Sequence, residues 1–318
     1  MRLLVTGVSG LLGLNLAVQA ADRFHVTGVM RGNRARPVPG VPFDTILADL
    51  TEPQVLDRVV EQAAPDVIIN CAAMTEVDYC EAHSEQAHRI NSDLPGQIAC
   101  LAARSGAKLL HISTDSVFDG LRGGYCEEDE PNPVNVYART KLEGERAVAA
   151  ADPNAIIARV NFYGWSWQGR RSLSEWFFLN LSQGKSIFGF ADIVFSPLLV
   201  NDMIEILLRM IEKRLCGLYH VVSSESQSKF AFGRMLAREF GFDETLVSPV
   251  AYRDAGLKAV RSPLLNLHPD KLTRALGEEL PGQEGSMRRY GELYRHGHPQ
   301  FLRNLLSEQG PLLKEQLR

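Results

Sequence analysis

The first thirteen residues restrict this chain more than any other feature. Leu3 to Thr6 is a short apolar run of strand type, and Gly7, Gly10 and Gly13 follow at a GxxGxxG spacing. From Leu11 to Ala21, apolar residues recur at helical intervals. A strand that turns through glycines into a helix opens a βαβ unit. The glycines remove side chains where backbone N–H groups must approach an anion, and the helix beginning there offers unpaired donors and the positive end of its dipole. Gly7, Ser9, Gly10, Leu11, Leu12 and Gly13 are therefore the expected cradle for the pyrophosphate of a dinucleotide cofactor.

The pattern continues as strands alternating with helices. His25 to Met30, Asp44 to Leu47, Asp66 to Asn70, Lys108 to Ile112 and Ala155 to Val160 read as strands, with helical spacing over 52–63, 84–104 and 136–150. Alternation of this kind implies right-handed crossovers and a parallel sheet. The expected fold is α/β, a Rossmann-type doubly wound parallel sheet with a smaller C-terminal substrate-binding region. Residues 1–160 form the cofactor domain, and 161–318 form mainly the substrate-binding region and C-terminal helices. Leu218 to Val222 returns to the sheet, and the tail from 286 reads as surface helix.

Composition excludes several functions. At 45% hydrophobic and 23% charged, with a formal net charge of −4, the chain has no electrostatic reason to bind nucleic acid. Its five cysteines form no CxxC pair and its eight histidines no HExxH, so neither a disulfide framework nor a metal site is expected, and the usage suits a reducing cytoplasm. The N-terminal apolar run ends at Gly7, and no stretch approaches the ~18 apolar residues of a membrane span.

Cofactor choice turns on Arg31. An acidic residue ~20 positions after the glycines is the usual mark of NAD preference, because it bonds the ribose 2′-hydroxyl. Here Arg31 stands there, with Arg34 and Arg36 near. A guanidinium attracts a 2′-phosphate, so NADP(H) is expected over NAD(H). A solvated basic loop is the competing explanation.

Tyr137-Ala138-Arg139-Thr140-Lys141 sets a phenol and an ammonium on one helical face. A cation beside a phenol favours the phenolate and brings a pKa near ~10 toward the working range. Upstream, His111-Ile112-Ser113-Thr114-Asp115 ends a strand with two hydroxyls at the carboxyl edge of the sheet, where such folds bind ligands. A hydroxyl there can bond a substrate carbonyl and align it toward Tyr137.

These segments, taken together, resemble the extended short-chain dehydrogenase/reductase family, and within it the dTDP-4-dehydrorhamnose reductase branch. The likeness runs through Thr6 to Gly13, Asp49-Leu50, Asn70 to Ala73 with Thr75, Val77 and Asp78, Asn91, Ser113 to Gly120, and Pro131 to Glu145. It implies that Thr114, Tyr137 and Lys141 are a catalytic triad and Asp49 an adenine contact. Ala72 and Ala73 would then wall the cofactor, with Leu50, Cys71 and Ser113 beside it and Asn91 as the supporting asparagine. It further implies NADPH-dependent reduction of a 4-keto-6-deoxy sugar nucleotide, with Lys141 bonding the nicotinamide ribose.

Departures from the branch bear on substrate. Ser116 stands where tyrosine is usual, and Asp192 to Pro197 only partly matches the Asp-Gln-x-Gly-x-Pro segment. Thr75, Val77, Ser116, Val117 and Phe118 are substrate-side candidates. Trp165, Trp167, Arg170 and Arg171 suit a base stack and a diphosphate, or else core residues and a solvated loop. Two other functions remain open: a sugar-nucleotide epimerase or dehydratase that retains its cofactor, and a non-catalytic regulatory protein like the beta subunit of methionine adenosyltransferase. A homodimer is the ordinary expectation for a cytoplasmic enzyme.

Overall fold

In the computed structural model of the protein, residues 1–31, 41–254 and 262–307 are described. Arg34 and Arg36 lie outside them. The first half alternates as the sequence predicts: β1 (Arg2–Thr6), α1 (Leu11–Ala20), β2 (His25–Met30), β3 (Asp44–Leu47), α2 (Val55–Ala63) and β4 (Val67–Asn70). Then follow α3 (Val77–Ala82), α4 (Ser84–His88), α5 (Leu94–Ser105), β5 (Lys108–Thr114), α6 (Val136–Ala151) and β6 (Ile156–Val160). The return strand is Gly217–Val221, paired parallel to β6.

The seven strands form one sheet in the order return strand, β6, β5, β4, β1, β2, β3. Every pairing within it is parallel. The order in which successive strands are added reverses between β1 and β4, the switch point at which doubly wound sheets open a crevice beyond their strand ends. Because helices cover both faces, the central strands are continuous apolar runs whose alternate residues serve different cores. Leu3 and Val5 pack on one side of the sheet, Leu4 on the other.

The helical stretch at 84–104 is not one helix. Between α4 and α5 the backbone widens into a π-helical turn, Arg89–Asp93, which carries Asn91. Such turns interrupt a helix in order to reposition one side chain. Here the Asn91 amide turns inward, accepting from Met74 N–H at 2.8 Å and donating to Met74 O at 3.0 Å.

Beyond β6 the chain adds α7 (Leu173–Leu181), α8 (Val200–Glu212), α9 (Lys229–Phe240), α10 (Asp270–Leu276), α11 (Gln283–Arg295) and α12 (His298–Ser307), with short two- and three-stranded pairings between them. The expectation of a surface tail from 286 is corrected. Met287, Tyr290 and Leu302 are buried and belong to the main core. A heavily charged helix with few apolar residues reads as solvated, yet those few align on one face and dock. No described helix is long and apolar enough to cross a membrane.

Candidate active site

Five of the sheet's strands deliver residues to one cavity of about 610 Å³. Gly7 follows the end of β1, Met30 ends β2 with Arg31 just beyond it, and Cys71, Ala72 and Ala73 come from the segment after β4. Ser113 and Thr114 close β5, and Asn161 follows β6.

The glycine turn forms the floor, with Ser9, Gly10, Leu11, Leu12 and Gly13 in the lining. Gly7 has φ +69°, and a Cβ there would sit 2.9 Å from the backbone of Ala72. On Gly13 it would stand 2.4 Å from the Gly7 carbonyl oxygen. Gly10 caps α1 and no side chain accepts from the helix's first turn. The helix therefore brings its orphan donors to the cavity, the arrangement that binds an anion. Trp167 fastens the turn from the other side, its Nε1 donating to Ser9 O at 2.9 Å.

At the far end, Asp49, Leu50 and Thr51 line the cavity beside Arg31. Asp49 Oδ1 accepts from Thr51 N at 3.0 Å and Thr51 Oγ1 at 2.6 Å; Oδ2 accepts from Arg31 Nε at 3.2 Å. Burial raises the Asp49 carboxyl, but these bonds outweigh it and hold the group below the usual carboxylate range. Arg31 is half exposed and engages Asp49 by its Nε edge.

Helix α6 supplies the reactive pair. Asn135 caps it, its side chain accepting from Ala138 N at 2.9 Å, and the first turn so fixed carries Tyr137. Tyr137 and Lys141 both line the cavity. Lys141 is 2% exposed, and its Nζ donates to Ile112 O at 2.7 Å. Thr114 Oγ1 accepts from Ser116 N and bonds Asp115 Oδ1, both at 3.2 Å.

Burial governs the titration of this pair. It pushes Lys141 down to about 8, although Glu145 and Cys71 act in the opposite direction. It pushes the Tyr137 phenol up to about 12, with the Thr114 hydroxyl only partly offsetting it. The expectation that Lys141 draws Tyr137 toward neutrality is therefore corrected: desolvation of the phenolate wins. Tyr137 is a neutral phenol at neutral pH, a state fit to donate.

Several candidates stand elsewhere. Asn91 is fully buried behind the wall, where it holds Met74 and donates its Nδ2 to Thr140 Oγ1 at 3.2 Å. It supports the cavity without lining it. Val117 and Phe118 are core residues, Phe118 stacking on Tyr125 at 4.2 Å. Trp165 is 4% exposed, stacks on Tyr290 at 4.2 Å and donates Nε1 to Tyr290 O at 3.2 Å. That core reading of Trp165 replaces the base stack. Thr75 and Arg171 line the cavity, and Arg171 pairs with Glu76 at 3.6 Å; Val77, Ser116 and the exposed Arg170 lie outside its lining.

Sequence reasoning passed over Asp115 and Asn161, which line the cavity and are hydrogen-bonded to each other. Burial raises the Asp115 carboxyl against the bonds it accepts from Asn161, Thr114 and Ser116. Their signal was positional: each directly follows the last residue of a sheet strand.

Among known proteins, the model of the RmlD substrate binding domain matches residues 1–295. A dTDP-4-dehydrorhamnose reductase from Mycobacterium tuberculosis is 33% identical over 267 residues, 82% of this chain and 83% of that one. Methionine adenosyltransferase 2 subunit beta from Bos taurus is 31% identical over 78% of this chain and 75% of its own. The crystal structure of dTDP-4-dehydrorhamnose reductase from Bacillus anthracis in complex with NADP superposes with a TM-score of 0.80, at 27% identity, covering 91% of this chain and 98% of that chain. The chain belongs to the RmlD substrate binding domain family, within the extended short-chain dehydrogenase/reductases.

Proposed function

We propose that the protein is an NADPH-dependent reductase acting on the keto group of a 4-keto-6-deoxy sugar nucleotide, as its dTDP-4-dehydrorhamnose reductase relatives are named to do. The observation that carries this reading is that Thr114, Tyr137 and Lys141 line the same cavity as the glycine turn and Arg31. A bound nicotinamide supplies the hydride.

The chain's own residues bind, align and protonate. First-turn N–H groups of α1 hold the pyrophosphate, Arg31 the 2′-phosphate, and Asp49 with Leu50 the adenosine end. Lys141 would hold the nicotinamide ribose. Thr114 Oγ1 donates to the substrate carbonyl oxygen, fixing which face meets the hydride. As that carbon gains the hydride, its oxygen takes the Tyr137 proton, giving a secondary alcohol and leaving a phenolate that solvent reprotonates. Thr75 and Arg171 serve the sugar nucleotide, Arg171 leaving Glu76 for a diphosphate oxygen.

In this reading residues 1–160 and the return strand bind cofactor, residues from 161 form mainly the sugar-nucleotide side, and the enzyme works in the cytoplasm as a homodimer. Oxidation of NADPH with dTDP-4-dehydro sugars is the test. Turnover by the parent, with Tyr137→Phe falling by about 10²-fold or more at unchanged NADPH affinity, is expected. A folded parent that binds NADPH and turns over no such sugar removes the reading and favours a regulatory subunit.

A further inference from the structure

Behind Lys141 runs a buried polar chain that none of the steps above employs. Lys141 Nζ stands 3.4 Å from His111 Nε2, and His111 Nδ1 stands 3.1 Å from Asn70 Nδ2. Asn70 Oδ1 in turn accepts from the Thr6 hydroxyl at 2.7 Å and from Ala72 N–H at 3.2 Å. Thr6 directly precedes Gly7, so the chain links the amine to the start of the cofactor turn.

The hydrogen-bond directions follow from one fixed donor. The backbone N–H of Ala72 can only donate, and it is shared between Thr6 Oγ1 at 3.1 Å and Asn70 Oδ1 at 3.2 Å; an amide nitrogen in the latter place would set two donors against each other, so the Asn70 atom there is the oxygen and the nitrogen faces His111. An amide nitrogen only donates, so His111 Nδ1 receives. His111 is fully buried, and burial, reinforced by Lys141, holds its imidazolium form well below the usual range. A neutral imidazole has a single N–H. With Nδ1 as acceptor, that proton sits on Nε2 and points at Lys141.

We propose that His111 is a positioning residue for Lys141: Asn70 fixes it as the Nε2–H tautomer, and it then directs a donor at the amine and favours the form of Lys141 that carries a lone pair. An ammonium has three donors and no acceptor. It meets the His111 N–H unfavourably, whereas the free amine accepts from Nε2 and still donates to Ile112 O.

Burial is the largest influence on Lys141, and the titratable groups that face it besides His111 are Cys71, Tyr137 and Glu145. Cys71, after β4, is pushed by burial up to about 12 and stays an uncharged thiol. Tyr137, on the same helix, is a neutral phenol. Glu145, also on α6, favours the ammonium, but its carboxylate is engaged by Arg159 from β6 and by Ser113 from β5. His111 thus opposes Glu145 and adds to burial, which is what chiefly pushes Lys141 down to about 8. The inference rests on the proposed reduction for its kinetic consequence but not for its structural one.

The test has two arms. In ¹⁵N-histidine spectra of the parent without substrate, with the resonance assigned through the backbone of residue 111, Nε2 should carry the proton and Nδ1 should not. A protonated Nδ1 overturns the proposal whatever the activity. In the second arm, the Lys141 titration is followed by its side-chain resonance, and the alkaline limb of kcat/KM by turnover. His111→Leu removes the donor and should move both upward by about one pH unit, a change of the size a single hydrogen bond causes. His111→Gln, which keeps an amide N–H near the Nε2 position, should hold both near the parent's. Coincident titrations in the parent and His111→Leu overturn the proposal. A protein that turns over no sugar, yet shows the Nε2 proton and the displaced Lys141 titration, keeps this inference and loses the reductase reading. The parent spectrum needs no variant to fold.

Discussion

Glu145 of α6 and Arg159 of β6 form a buried ion pair, Nη2 to Oε2 2.8 Å, with side chains 6% and 3% exposed. The Arg159 Nε lies 3.0 Å from the other carboxylate oxygen, which also accepts from Ser113 Oγ at 2.5 Å. The guanidinium covers the Phe118 ring, 5.0 Å from its centroid. Three elements of the site are thereby tied together: the helix of Tyr137 and Lys141, the strand end before Thr114, and β6. Glu145→Ala leaves a buried cation without a partner, which costs about 3–5 kcal/mol. Urea unfolding should read a loss of that order, with Glu145→Gln losing less because it keeps an acceptor. A loss below about 1 kcal/mol, the range of surface pairs, would mean that water reaches Arg159.

In the proposed reading Arg31 discriminates between the two nicotinamide cofactors. Its contact with Asp49 uses only the Nε edge, and hydrogen bonds to charged groups contribute about 1.5–3 kcal/mol. Arg31→Ala should therefore weaken NADPH binding by about tenfold or more and leave NADH binding close to the parent's. Calorimetric titration with both cofactors checks this. Equal losses for the two would reduce Arg31 to a partner that orders Asp49.

Trp165 and Arg171 come from one segment but should behave oppositely. Trp165 is packed among Tyr290, Phe178 and Tyr294, so Trp165→Ala should cost about 3–5 kcal/mol of stability while KM for the sugar nucleotide stays put. Arg171 is exposed in its pair with Glu76, worth only about 0–1 kcal/mol. Arg171→Ala should raise KM and leave the melting temperature nearly unchanged. Reversal of either pattern would exchange their assignments.

The contrast between these two residues marks what the sequence could disclose. The glycine turn, Thr114, Tyr137 and Lys141 were legible because local rules fix them: a strand-to-helix turn needs glycines, and residues four apart share a helix face. Trp165 was not, because an aromatic near a strand end suits a pocket and a core equally. Only the docking of α11, more than 100 residues later, supplies Tyr290 to cover it. The π-helical turn at Asn91 escaped for a similar reason, since its apolar spacing is that of an ordinary helix. The Tyr137 titration depends on enclosure by several elements at once, which residue spacing does not encode.

Lys141 should weaken the fold it serves. Its ammonium is disfavoured by burial, so its pKa is about 8 in the folded protein against an ordinary lysine value of 10.5. Below about pH 8 both folded and unfolded chains hold the proton, and the folded one bears the whole desolvation penalty. Between these two values the unfolded chain holds a proton that the folded chain has released, so stability rises with pH. A pKa difference of one corresponds to about 1.4 kcal/mol, placing the penalty on the order of 3 kcal/mol. Lys141→Met should accordingly be the more stable protein near pH 7, by somewhat less than that sum because Ile112 O loses its donor. The advantage should shrink as the pH climbs past about 8. Tyr137 opposes this trend only above about pH 10 and the buried thiols of Cys71 and Cys80 from about pH 9, their folded pKa values being raised, so the difference between Lys141→Met and the parent between about pH 7 and 9, in which these shared contributions largely cancel, isolates the lysine. A Lys141→Met protein that is less stable at neutral pH, or whose difference from the parent is flat across that window, would mean that the amine is solvated in the fold and the enclosed pair described above is not.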